Sequence, residues 1–430
     1  MKAAIYTLGC KVNQYESQVI SEALANKGYT IVDCSEKADI YIINSCTVTA
    51  AADQKTRQYV RKFKRNNPDS IVVLTGCMPQ AFPAEAENLS EADIIIGNKN
   101  NSKLIELLDN YLKSKNRTVE ILEHEKKEEF APCSISNFDE RTRASIKIQD
   151  GCNRFCSYCI IPYSRGRVRS KPLDELKSEL ETVAANGYNE VVLVGINLSS
   201  YGQDCGLTFP DAVKLADSID GIERVRLGSL EPDHLTDEVI EKLSECRKLC
   251  PQFHISLQSG CDKTLKTMNR HYTADEYRHL CQKLRSEFSD CTLTTDVMVG
   301  FCGETDSDFN DSLNFVKEIG FEKIHVFPYS IRKGTKAEKM DGHLPKHIKE
   351  ERCAVMIAAG EELRRQFFKS QIGKKTSVLF ESTLKDGYCC GYTANYTPVK
   401  VMADSSVCGK ILDVEIVSVC DDDFCEGKII

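Results

Sequence analysis

Three cysteines lie close together near the middle of the sequence, and we call Cys152, Cys156 and Cys159 the close triad. Their C-x3-C-x2-C spacing suits a cubane of four irons, because iron–sulfur clusters are held by closely spaced cysteine thiolates. Three thiolates leave one iron without a protein ligand. A structural zinc site is the alternative, but zinc prefers four ligands, often as two C-x2-C pairs. The spacing therefore favours an iron–sulfur cluster that is open at one corner.

An open iron can bind the amino and carboxylate groups of S-adenosylmethionine (SAM). An electron from the cluster then cleaves a carbon–sulfur bond of SAM and gives a 5'-deoxyadenosyl radical, while the protein positions the cofactor. The close triad follows a predicted strand, ASIKIQDGC, and precedes a long alternation of strands and helices. This context predicts radical SAM chemistry rather than a purely structural metal site.

Three further cysteines, which we call the dispersed triad, lie far apart at Cys10, Cys46 and Cys77. Each follows a predicted strand, in LGC, NSC and TGC, and open α/β sheets build their sites where the carboxyl ends of parallel strands meet. The three thiols are therefore expected to converge and to hold a second cluster with an open iron. Three buried core thiols are the alternative on spacing alone. Asn13 and Asn44 are candidate polar neighbours of this site.

The composition is that of a soluble globular protein, with 41% hydrophobic and 28% charged residues over 430 positions. The sequence opens without a charged-then-apolar signal pattern, and no apolar run approaches the roughly 18 residues that span a bilayer. We therefore expect a cytoplasmic protein whose 21 cysteines stay reduced. Most of them need no function, since cysteine is a good small core residue.

The formal net charge of −8 argues against a uniformly basic nucleic-acid binder. Two segments are nevertheless basic. One runs from Arg141 to Lys171 with eight basic residues and one acidic residue, Asp150, and the other is a predicted helix around Arg61. We expect RNA phosphates to contact both segments, and a solvated charged face is the alternative for the helix. The residues predicted to bind RNA are Arg57, Arg61, Arg165, Arg167 and Arg169.

Alternating apolar strands and amphipathic helices predict an α/β protein. Residues 1–115 are predicted to form a doubly wound parallel sheet that carries the dispersed triad, and residues 116–142 a charged linker. Residues 143–371 contain about six strand–helix units, which predicts a partial or complete (β/α) barrel. Residues 372–430 contain short β-branched and aromatic runs broken by Gly and Asp, which predicts a small β-barrel.

With both triads in view, the chain resembles the methylthiotransferases, a family of radical SAM enzymes, over nearly its whole length. The matching segments are LGCKVNQYES, INSCTVT, TGCMPQ, IQDGCNRFCSYCIIPYSRGRVRS, VVLVGIN, LGSLEP, HISLQSGCDKTLKTMNRHYT, TTDVMVGFCGETDSDF and HVFPYSIRKGT. Within the family, GCKVNQYES is similar to the MtaB-type branch, which modifies N6-threonylcarbamoyladenosine at position 37 of tRNA. The C-terminal barrel resembles the TRAM domain, an RNA-binding module of this family.

The resemblance implies that the C2 hydrogen of the adenine is replaced by a methylthio group. A ring C–H is too weak an acid for a side-chain base, so a radical route is needed. By resemblance, the close triad would hold the [4Fe-4S] cluster that cleaves SAM. The dispersed triad would hold an auxiliary [4Fe-4S] cluster whose open iron carries the sulfur. Two SAM molecules would be used per turnover, one to methylate the sulfur and one to supply the radical.

The family pattern also implies SAM contacts along the barrel, and no catalytic residue beyond the cluster ligands. Strand-end hydrogen bonding is the alternative for the polar positions, and a tight turn is the alternative for the glycines. The chain departs from the family at Cys302, where relatives usually have Pro, and at Cys261, where they often have Ser. The residues predicted to bind SAM are Tyr158, Gly195, Asn197, Ser229, Glu231, Gln258, Gly300, Gly303 and Glu304.

The partners that the resemblance implies are a tRNA anticodon stem-loop and an electron donor such as flavodoxin or ferredoxin. Within the same class, the substrate could instead be isopentenyladenosine in tRNA or an aspartate of a ribosomal protein. From another class, the chain could be a non-catalytic iron–sulfur electron carrier or a redox-sensing RNA binder. The open iron expected at both triads argues against that last alternative.

Overall fold

Six parallel strands form the N-terminal sheet of the structure, a computed structural model that describes residues 1–135, 142–384, 387–420 and 424–430. The strands are β1 (Lys2–Thr7), β2 (Thr30–Ile31), β3 (Ile40–Ser45), β4 (Ile71–Gly76), β5 (Ile94–Ile96) and β6 (Thr118–Glu120). Their order across the sheet is β2-β1-β3-β4-β5-β6. The chain passes from β1 to β2 on one side of β1 and then to β3 on the other side. The strand order therefore reverses between β1 and β3, and open α/β sheets form a crevice at the carboxyl ends of the strands at such a point.

Helices cover both faces of this sheet. Leu24 and Leu108 pack on one face, and Val60 and Phe63 pack on the other. A parallel sheet with helices on both faces confirms the predicted doubly wound fold. The helices are α1 (Lys11–Asn26), α2 (Ala50–Asn66), α3 (Cys77–Ala81), α4 (Pro83–Glu87) and α5 (Leu104–Ser114).

The segment predicted as a linker is partly structured. Strand β6 lies beyond residue 115 and pairs in parallel with β5. Residues 136–141, including Arg141 of the basic segment, lie outside the described residues. The predicted domain boundaries stay predictions. In the described part of the chain, no helix is long and apolar enough to cross a membrane.

The central part is a curved wall of parallel strands. Its strands are β7 (Arg143–Lys147), β8 (Gln149–Asp150), β9 (Arg169–Ser170), β10 (Glu190–Val194), β11 (Arg224–Leu227), β12 (Ser229–Leu230), β13 (Gln252–Ile255), β14 (Thr292–Val299) and β15 (Lys323–Pro328). β10 pairs in parallel with β7 and β11, and β12 to β15 form a second parallel group. A parallel bridge between Val225 and Leu249 joins the two groups. The predicted partial barrel is therefore confirmed, with β8 and β9 as a short antiparallel pair beside it.

Helices surround this wall and supply most of its core. Leu176 and Leu180, for example, belong to the same buried cluster as Val191 and Leu193 of β10. A hydrophobic stripe at helical spacing is what buries one face of each helix against the strands. The helices are α6 (Ile161–Arg165), α7 (Leu173–Ala185), α8 (Phe209–Ser218), α9 (Asp237–Ser244), α10 (Asp262–Thr267), α11 (Ala274–Glu287), α12 (Asp306–Ile319) and α13 (Lys346–Gln371).

The C-terminal part is a closed barrel of β16 (Lys375–Thr383), β17 (Tyr388–Thr393), β18 (Pro398–Met402), β19 (Ile411–Val419) and β20 (Cys425–Ile429). Its order, β16-β17-β18-β20-β19, confirms the predicted small β-barrel. Arg226 of β11 donates hydrogen bonds to the carbonyl oxygens of Thr393 at 2.6 Å and Ala394 at 2.8 Å. These bonds hold the small barrel against β11 of the central part.

Candidate functional site

The sheet brings the dispersed triad together. Cys10 precedes α1, Cys46 follows β3 and Cys77 opens α3, so the three thiols lie at the carboxyl ends of the neighbouring strands β1, β3 and β4. A Cβ atom added to Gly9 would lie only 2.9 Å from the Cβ of Cys46. Burial, together with negative charge on Cys77 and Cys10, raises the pKa of Cys46 to about 12. The thiols are therefore close enough to act on one another.

Asn13 and Asn44, the predicted polar neighbours, tie α1 to β3 behind the dispersed triad. The thiol of Cys10 donates to Oδ1 of Asn13 at 3.3 Å. Nδ2 of Asn13 donates to Oδ1 of Asn44 at 3.2 Å and to the carbonyl of Ser45 at 3.1 Å. Nδ2 of Asn44 in turn donates to the carbonyl of Asn13 at 2.9 Å. Both amides are buried, so these bonds fix the loop of Cys10 against the strand that precedes Cys46.

A buried ion network connects the dispersed triad to the central barrel. Nε of Arg165 donates to Sγ of Cys77 at 3.2 Å, and its two terminal nitrogens donate to the carboxylate of Glu16 at 2.5 and 3.0 Å. Nζ of Lys147 donates to Glu16 at 2.8 Å and to Asp150 at 2.6 Å. Burial alone would raise the pKa of Glu16, but Arg165 and Lys147 hold it below its ordinary value. Glu16 therefore stays ionised between two cations.

Two of the residues predicted to contact RNA, Arg165 and Arg169, are buried in the structure. Arg165 is only 1% exposed, and Arg169 is 7% exposed and donates to the carboxylate of Glu128 at 2.8 Å. Buried cations need such partners, and these two already have them. Of the predicted RNA contacts in this segment, only Arg167 is exposed, where it lies 4.6 Å from the centre of the Phe155 ring.

The other two arginines predicted to bind RNA lie on α2. Arg61 is exposed and forms an ion pair with Glu91 at 3.4 Å. Arg57 is half-buried and forms an ion pair with Glu85 at 3.4 Å. Exposed ion pairs of this kind are weak, so both side chains remain able to exchange their partner for a phosphate.

The close triad lies on a tight loop between β8 and α6. Gly151 has a φ of +73°, and a Cβ atom there would lie 1.9 Å from the carbonyl oxygen of Arg167, so only glycine fits. The loop is closed by a hydrogen bond from the amide of Cys152 to the carbonyl of Gly166 at 3.0 Å. Burial raises the pKa of Cys159 far above its ordinary value, and negative charge on Cys156 adds to this. The loop therefore gathers the three thiols of this triad.

Polar side chains from later parts of the central barrel contact the close triad. Nδ2 of Asn197 lies 3.7 Å from Sγ of Cys152, and a terminal nitrogen of Arg270 donates to Sγ of Cys156 at 3.4 Å. Arg270 also forms an ion pair with Glu231 at 2.5 Å. Asn197 and Glu231 were predicted near SAM, whereas Arg270 was not predicted. Its signal was the segment TMNRHY, which places an arginine directly after a short helix.

A second residue that sequence reasoning missed is Gln149. Its Oε1 accepts from the amide of Asn197 at 2.8 Å, and its Nε2 donates to the carbonyl of Gly151 at 2.7 Å. Gly195 leaves space for it, since a Cβ atom there would lie 2.8 Å from Oε1 of Gln149. Gln149 therefore links the end of β10 to the loop of the close triad.

The remaining predicted SAM contacts fall in two places. Ser229 is exposed to a central cavity, and Gln258 is buried at a φ of +64°, with its Oε1 unpartnered among the described residues. Glu304 accepts from the amide of Gly300 at 2.9 Å and from Arg352 at 2.6 Å, so its carboxylate holds this turn. A Cβ atom added at Gly303 would meet open space.

Tyr158 packs beside the turn formed by residues 300–304. Its ring packs edge-on against Phe301 at 6.1 Å between ring centres. Cys302, one of the two departures from the family pattern, places its Sγ 3.4 Å from Nδ1 of His343. Cys261, the other departure, lies buried with its Sγ 3.6 Å from the carboxylate of Asp308. Among the described residues, neither cysteine makes a hydrogen bond to a triad cysteine.

A cavity of about 860 Å³ lies between all three parts of the protein. Cys10 and Lys11 line it from the N-terminal part, and Gly195 and Ser229 from the ends of central strands. The small barrel contributes aromatic residues such as Tyr396. A cavity of this size suits a nucleoside-sized ligand. Cys10 of the dispersed triad and two predicted SAM contacts therefore line the same cavity.

The donor sets fit iron–sulfur clusters by their chemistry. Burial raises the pKa of Cys152 to about 11, so without metal this thiol is protonated at neutral pH, and metal binding would displace the proton. Soft thiolates are the ligands that such clusters use. In the part of the chain that the structure describes, no group of three His, Cys, Asp or Glu side chains is placed so that it could hold a single metal ion.

A partial parallel barrel with a C-x3-C-x2-C loop at the end of its first strand defines a radical SAM protein. The sequence profile of the Radical SAM superfamily matches residues 146–316, and that of Uncharacterized protein family UPF0004 matches residues 2–97. Membership of the superfamily implies a [4Fe-4S] cluster and SAM. The first profile covers the close triad, and the second covers the dispersed triad.

Curated relatives align over nearly the whole chain. Threonylcarbamoyladenosine tRNA methylthiotransferase MtaB of Bacillus subtilis is 36% identical over 96% of this chain and 93% of its own length. The protein of the same name from Aquifex aeolicus is 36% identical over 97% of this chain and 100% of its own length. A tRNA-2-methylthio-N(6)-dimethylallyladenosine synthase of Clostridium botulinum is 36% identical over 96% of this chain and 94% of its own length. The chain belongs to the tRNA methylthiotransferase family of radical SAM enzymes.

Among solved structures, the radical SAM methyltransferase TsrM from Kitasatospora setae, with cobalamin and a [4Fe-4S] cluster bound, has a TM-score of 0.56. It covers 76% of this chain and 74% of its own, at 15% sequence identity. This likeness supports the fold alone.

Proposed function

We propose that this enzyme adds a methylthio group to C2 of N6-threonylcarbamoyladenosine at position 37 of tRNA. Two of the relatives that align over nearly the full chain are named for methylthio transfer to this nucleoside. The observation that carries the proposal is the central cavity, which Cys10 of the dispersed triad shares with Gly195 and Ser229 of the central barrel. A reaction that needs both triads at one atom of the substrate requires such a shared space.

The close triad would hold the [4Fe-4S] cluster that binds SAM, and the dispersed triad would hold an auxiliary [4Fe-4S] cluster. When bound, these groups supply a carbon-centred radical, a methyl group and a sulfur atom. We infer two SAM equivalents per turnover, because the methyl group and the radical come from different bonds of SAM. The C2 hydrogen would leave as a hydrogen atom to the 5'-deoxyadenosyl radical, which would become 5'-deoxyadenosine, and an electron donor such as flavodoxin or ferredoxin would reduce the cluster.

The side chains around the close triad would position SAM. Arg270 holds Glu231 in an ion pair and donates to Cys156, so both groups are fixed before a ligand arrives. Burial raises the pKa of Glu231, while Arg270 opposes that rise. Gln258 has a buried Oε1 without a partner among the described residues, which suits a hydrogen-bond donor of SAM.

The anticodon stem-loop would bind across the N-terminal part and the small barrel. Arg57, Arg61 and Arg167 are the predicted RNA contacts that reach the surface at least in part. Tyr392 and Tyr396 of the small barrel stack at 4.4 Å and line the cavity, where stacked rings are favourable neighbours for an unpaired base. Such a placement agrees with the RNA-binding role that the resemblance to TRAM domains implies.

Nucleosides of tRNA from a deletion strain test the proposal directly. Mass spectrometry should show loss of 2-methylthio-N6-threonylcarbamoyladenosine and accumulation of its precursor, and expression of the intact chain should restore the product. An unchanged product level in the deletion strain would contradict the proposal.

A second candidate substrate is N6-isopentenyladenosine in tRNA. A relative named for methylthio transfer to the dimethylallyl nucleoside is also 36% identical over nearly the full chain. The same nucleoside analysis separates the two substrates, because each precursor and product has its own mass. Loss of the isopentenyl product alone would assign the chain to that reaction.

A further inference from the structure

Helix α2 is strongly basic in a protein whose formal net charge is −8. Its 17 residues include six Lys or Arg side chains and one acid, Asp53. Asp53 is buried and pairs with Arg332 of the central part at 2.5 Å, so it does not offset the charge of the exposed side. Val60 and Phe63 pack the inner side of the helix against the N-terminal sheet. α2 therefore presents a basic surface to solvent.

The six cations of α2 fall into two groups of three. One group pairs with acids on segments beside the helix, at distances from 2.9 to 3.4 Å. These pairs are Arg57–Glu85, Arg61–Glu91 and Lys64–Asp93. The other group is exposed and has no carboxylate partner among the described residues. Its members are Lys55, Lys62 and Arg65, which we call the basic stripe. A phosphate can bind the basic stripe without displacing a protein carboxylate.

The basic stripe follows the solvent side of the helix. Lys55 and Lys62 are seven residues apart, which is close to two helical turns, so they project on the same side. Arg65 lies on the adjoining turn. The ten residues from Lys55 to Arg65 span about 15 Å along the helix axis. A line of unpaired cations of this length suits the regularly spaced phosphates of a nucleic-acid backbone.

The basic stripe starts beside the dispersed triad. α2 begins four residues after Cys46, and its first turn is fixed to the central part. The amide of Ala50 donates to Oγ of Ser330 at 3.2 Å, and a terminal nitrogen of Arg332 donates to Oγ1 of Thr47 at 2.8 Å. Because α2 connects the parallel strands β3 and β4, it runs back from their carboxyl ends. The basic stripe therefore leads away from the triad along this face of the sheet.

We propose that the basic stripe binds the phosphate backbone of the anticodon stem while position 37 enters the central cavity, which Cys10 lines. The inference rests on the proposed function, and it adds the surface that holds the helical part of the tRNA. Position 37 lies close to the start of the stem. The stem must therefore leave the protein near the place where the reacting base enters, and the basic stripe begins there.

Salt-dependent binding of a synthetic anticodon stem-loop to the cluster-loaded enzyme tests this inference. Fluorescence anisotropy, measured without oxygen, gives the affinity at each salt concentration. The stripe variant carries Lys55→Gln, Lys62→Gln and Arg65→Gln. Each phosphate contact contributes about 0.7 to 0.9 to the slope of log affinity against log salt, so the slope should become shallower by about 2 to 3. The affinities of the stripe variant and the wild type should converge as the salt concentration rises.

The matched control carries Lys27→Gln, Lys113→Gln and Lys115→Gln. These three residues are exposed and lie on, or directly after, α1 and α5, which cover the opposite face of the sheet. The control therefore makes the same change in net charge as the stripe variant, and its slope should equal that of the wild type. With a stem-loop whose stem is cut to its first base pairs, the difference between the stripe variant and the wild type should shrink.

Equal slopes for the stripe variant and the wild type would overturn the inference. An equal loss in the stripe variant and the control would also overturn it, because the effect would then be a general one of net charge. If the stripe variant kept its affinity for the stem-loop but was reduced more slowly by flavodoxin, the basic stripe would bind an acidic protein instead. These outcomes differ from failure of the proposed function, in which the wild-type enzyme would not convert the threonylcarbamoyl stem-loop to its methylthio product.

Discussion

The two cysteine triads bring three thiols together by different routes. The close triad lies within eight residues on one loop, whose glycine turn and local hydrogen bonds gather the thiols. The dispersed triad is assembled only when three strands of the N-terminal sheet align. One donor set is therefore encoded by spacing along the chain, and the other by sheet topology.

The groups that support the triads differ in the same way. Both triads receive an N–H···S hydrogen bond from an arginine, Arg270 at Cys156 and Arg165 at Cys77. Arg270 lies within the barrel that holds the close triad. Arg165 comes from the central barrel and reaches into the N-terminal part, where Glu16 holds it. The dispersed triad therefore depends on the docking of two parts of the protein. Substitutions in either triad, or in the side chains that support it, test this difference.

The largest effect is expected for the close triad. Cys156→Ala removes one of three thiolates that suit the SAM-binding cluster, so formation of 5'-deoxyadenosine and of methylthio product should both fall to background. Chromatography of an anaerobic reaction with dithionite and SAM measures both. Cys205→Ala, at an exposed cysteine outside both triads, is the control and should change neither.

Cys77→Ala should separate the two reactions. Iron bound after anaerobic reconstitution is expected to fall from about eight to about four atoms per chain, since one cubane is lost. SAM cleavage should continue, while methylthio product disappears. Wild-type protein that reproducibly binds only about four irons would contradict an auxiliary cluster, and loss of SAM cleavage in Cys77→Ala would reverse the roles given to the triads.

The contrast also explains what could be read from the sequence. The close triad needs only its spacing, and the dispersed triad could be proposed because each of its cysteines follows an apolar strand in a parallel pattern. Arg165 could not be placed in this way. Its neighbours in sequence are basic and suggested an RNA surface, but its partners Glu16 and Asp150 come from other elements. A charge count along the chain does not show which cations fold inward.

Lys11 and Gln149 show a second limit. Lys11 follows a cysteine and reads as an ordinary helix residue, yet the helix places it in a cavity whose other walls are contributed by residues far along the chain. In the sequence, Gln149 looks like an ordinary strand residue. It can link β10 to the loop of the close triad only because Gly195, which has no side chain, leaves space for it. In both cases the placement of the side chain depends on tertiary neighbours, which periodicity does not reveal.

Arg165→Met tests the docking on which the dispersed triad depends. The substitution leaves buried Glu16 with Lys147 as its close cation, and buried Asp150 with Lys147 and Arg169. Breaking a buried ion group of this kind costs about 3 kcal/mol or more. Urea denaturation of the metal-free protein should show this loss, and iron should be lost preferentially from the auxiliary site. Arg278→Met, at an exposed ion pair with Glu318, should change little. Equal stability of the two variants would show that the network does not hold the parts together.

The smallest expected effect is a difference in stability between two variants, each of which lacks an amide side chain beside one of the triads. Asn13→Ala removes bonds to Cys10, Asn44 and Ser45, and leaving their buried groups unpaired should cost about 1 to 3 kcal/mol. Asn197→Ala removes only a long contact to Cys152, at 3.7 Å, and a bond from Ser199, at 3.3 Å. Denaturant midpoints of the metal-free variants should therefore fall further for Asn13→Ala. If Asn197→Ala were the less stable variant, the loop of the close triad would depend on its tertiary neighbours as much as the dispersed triad does.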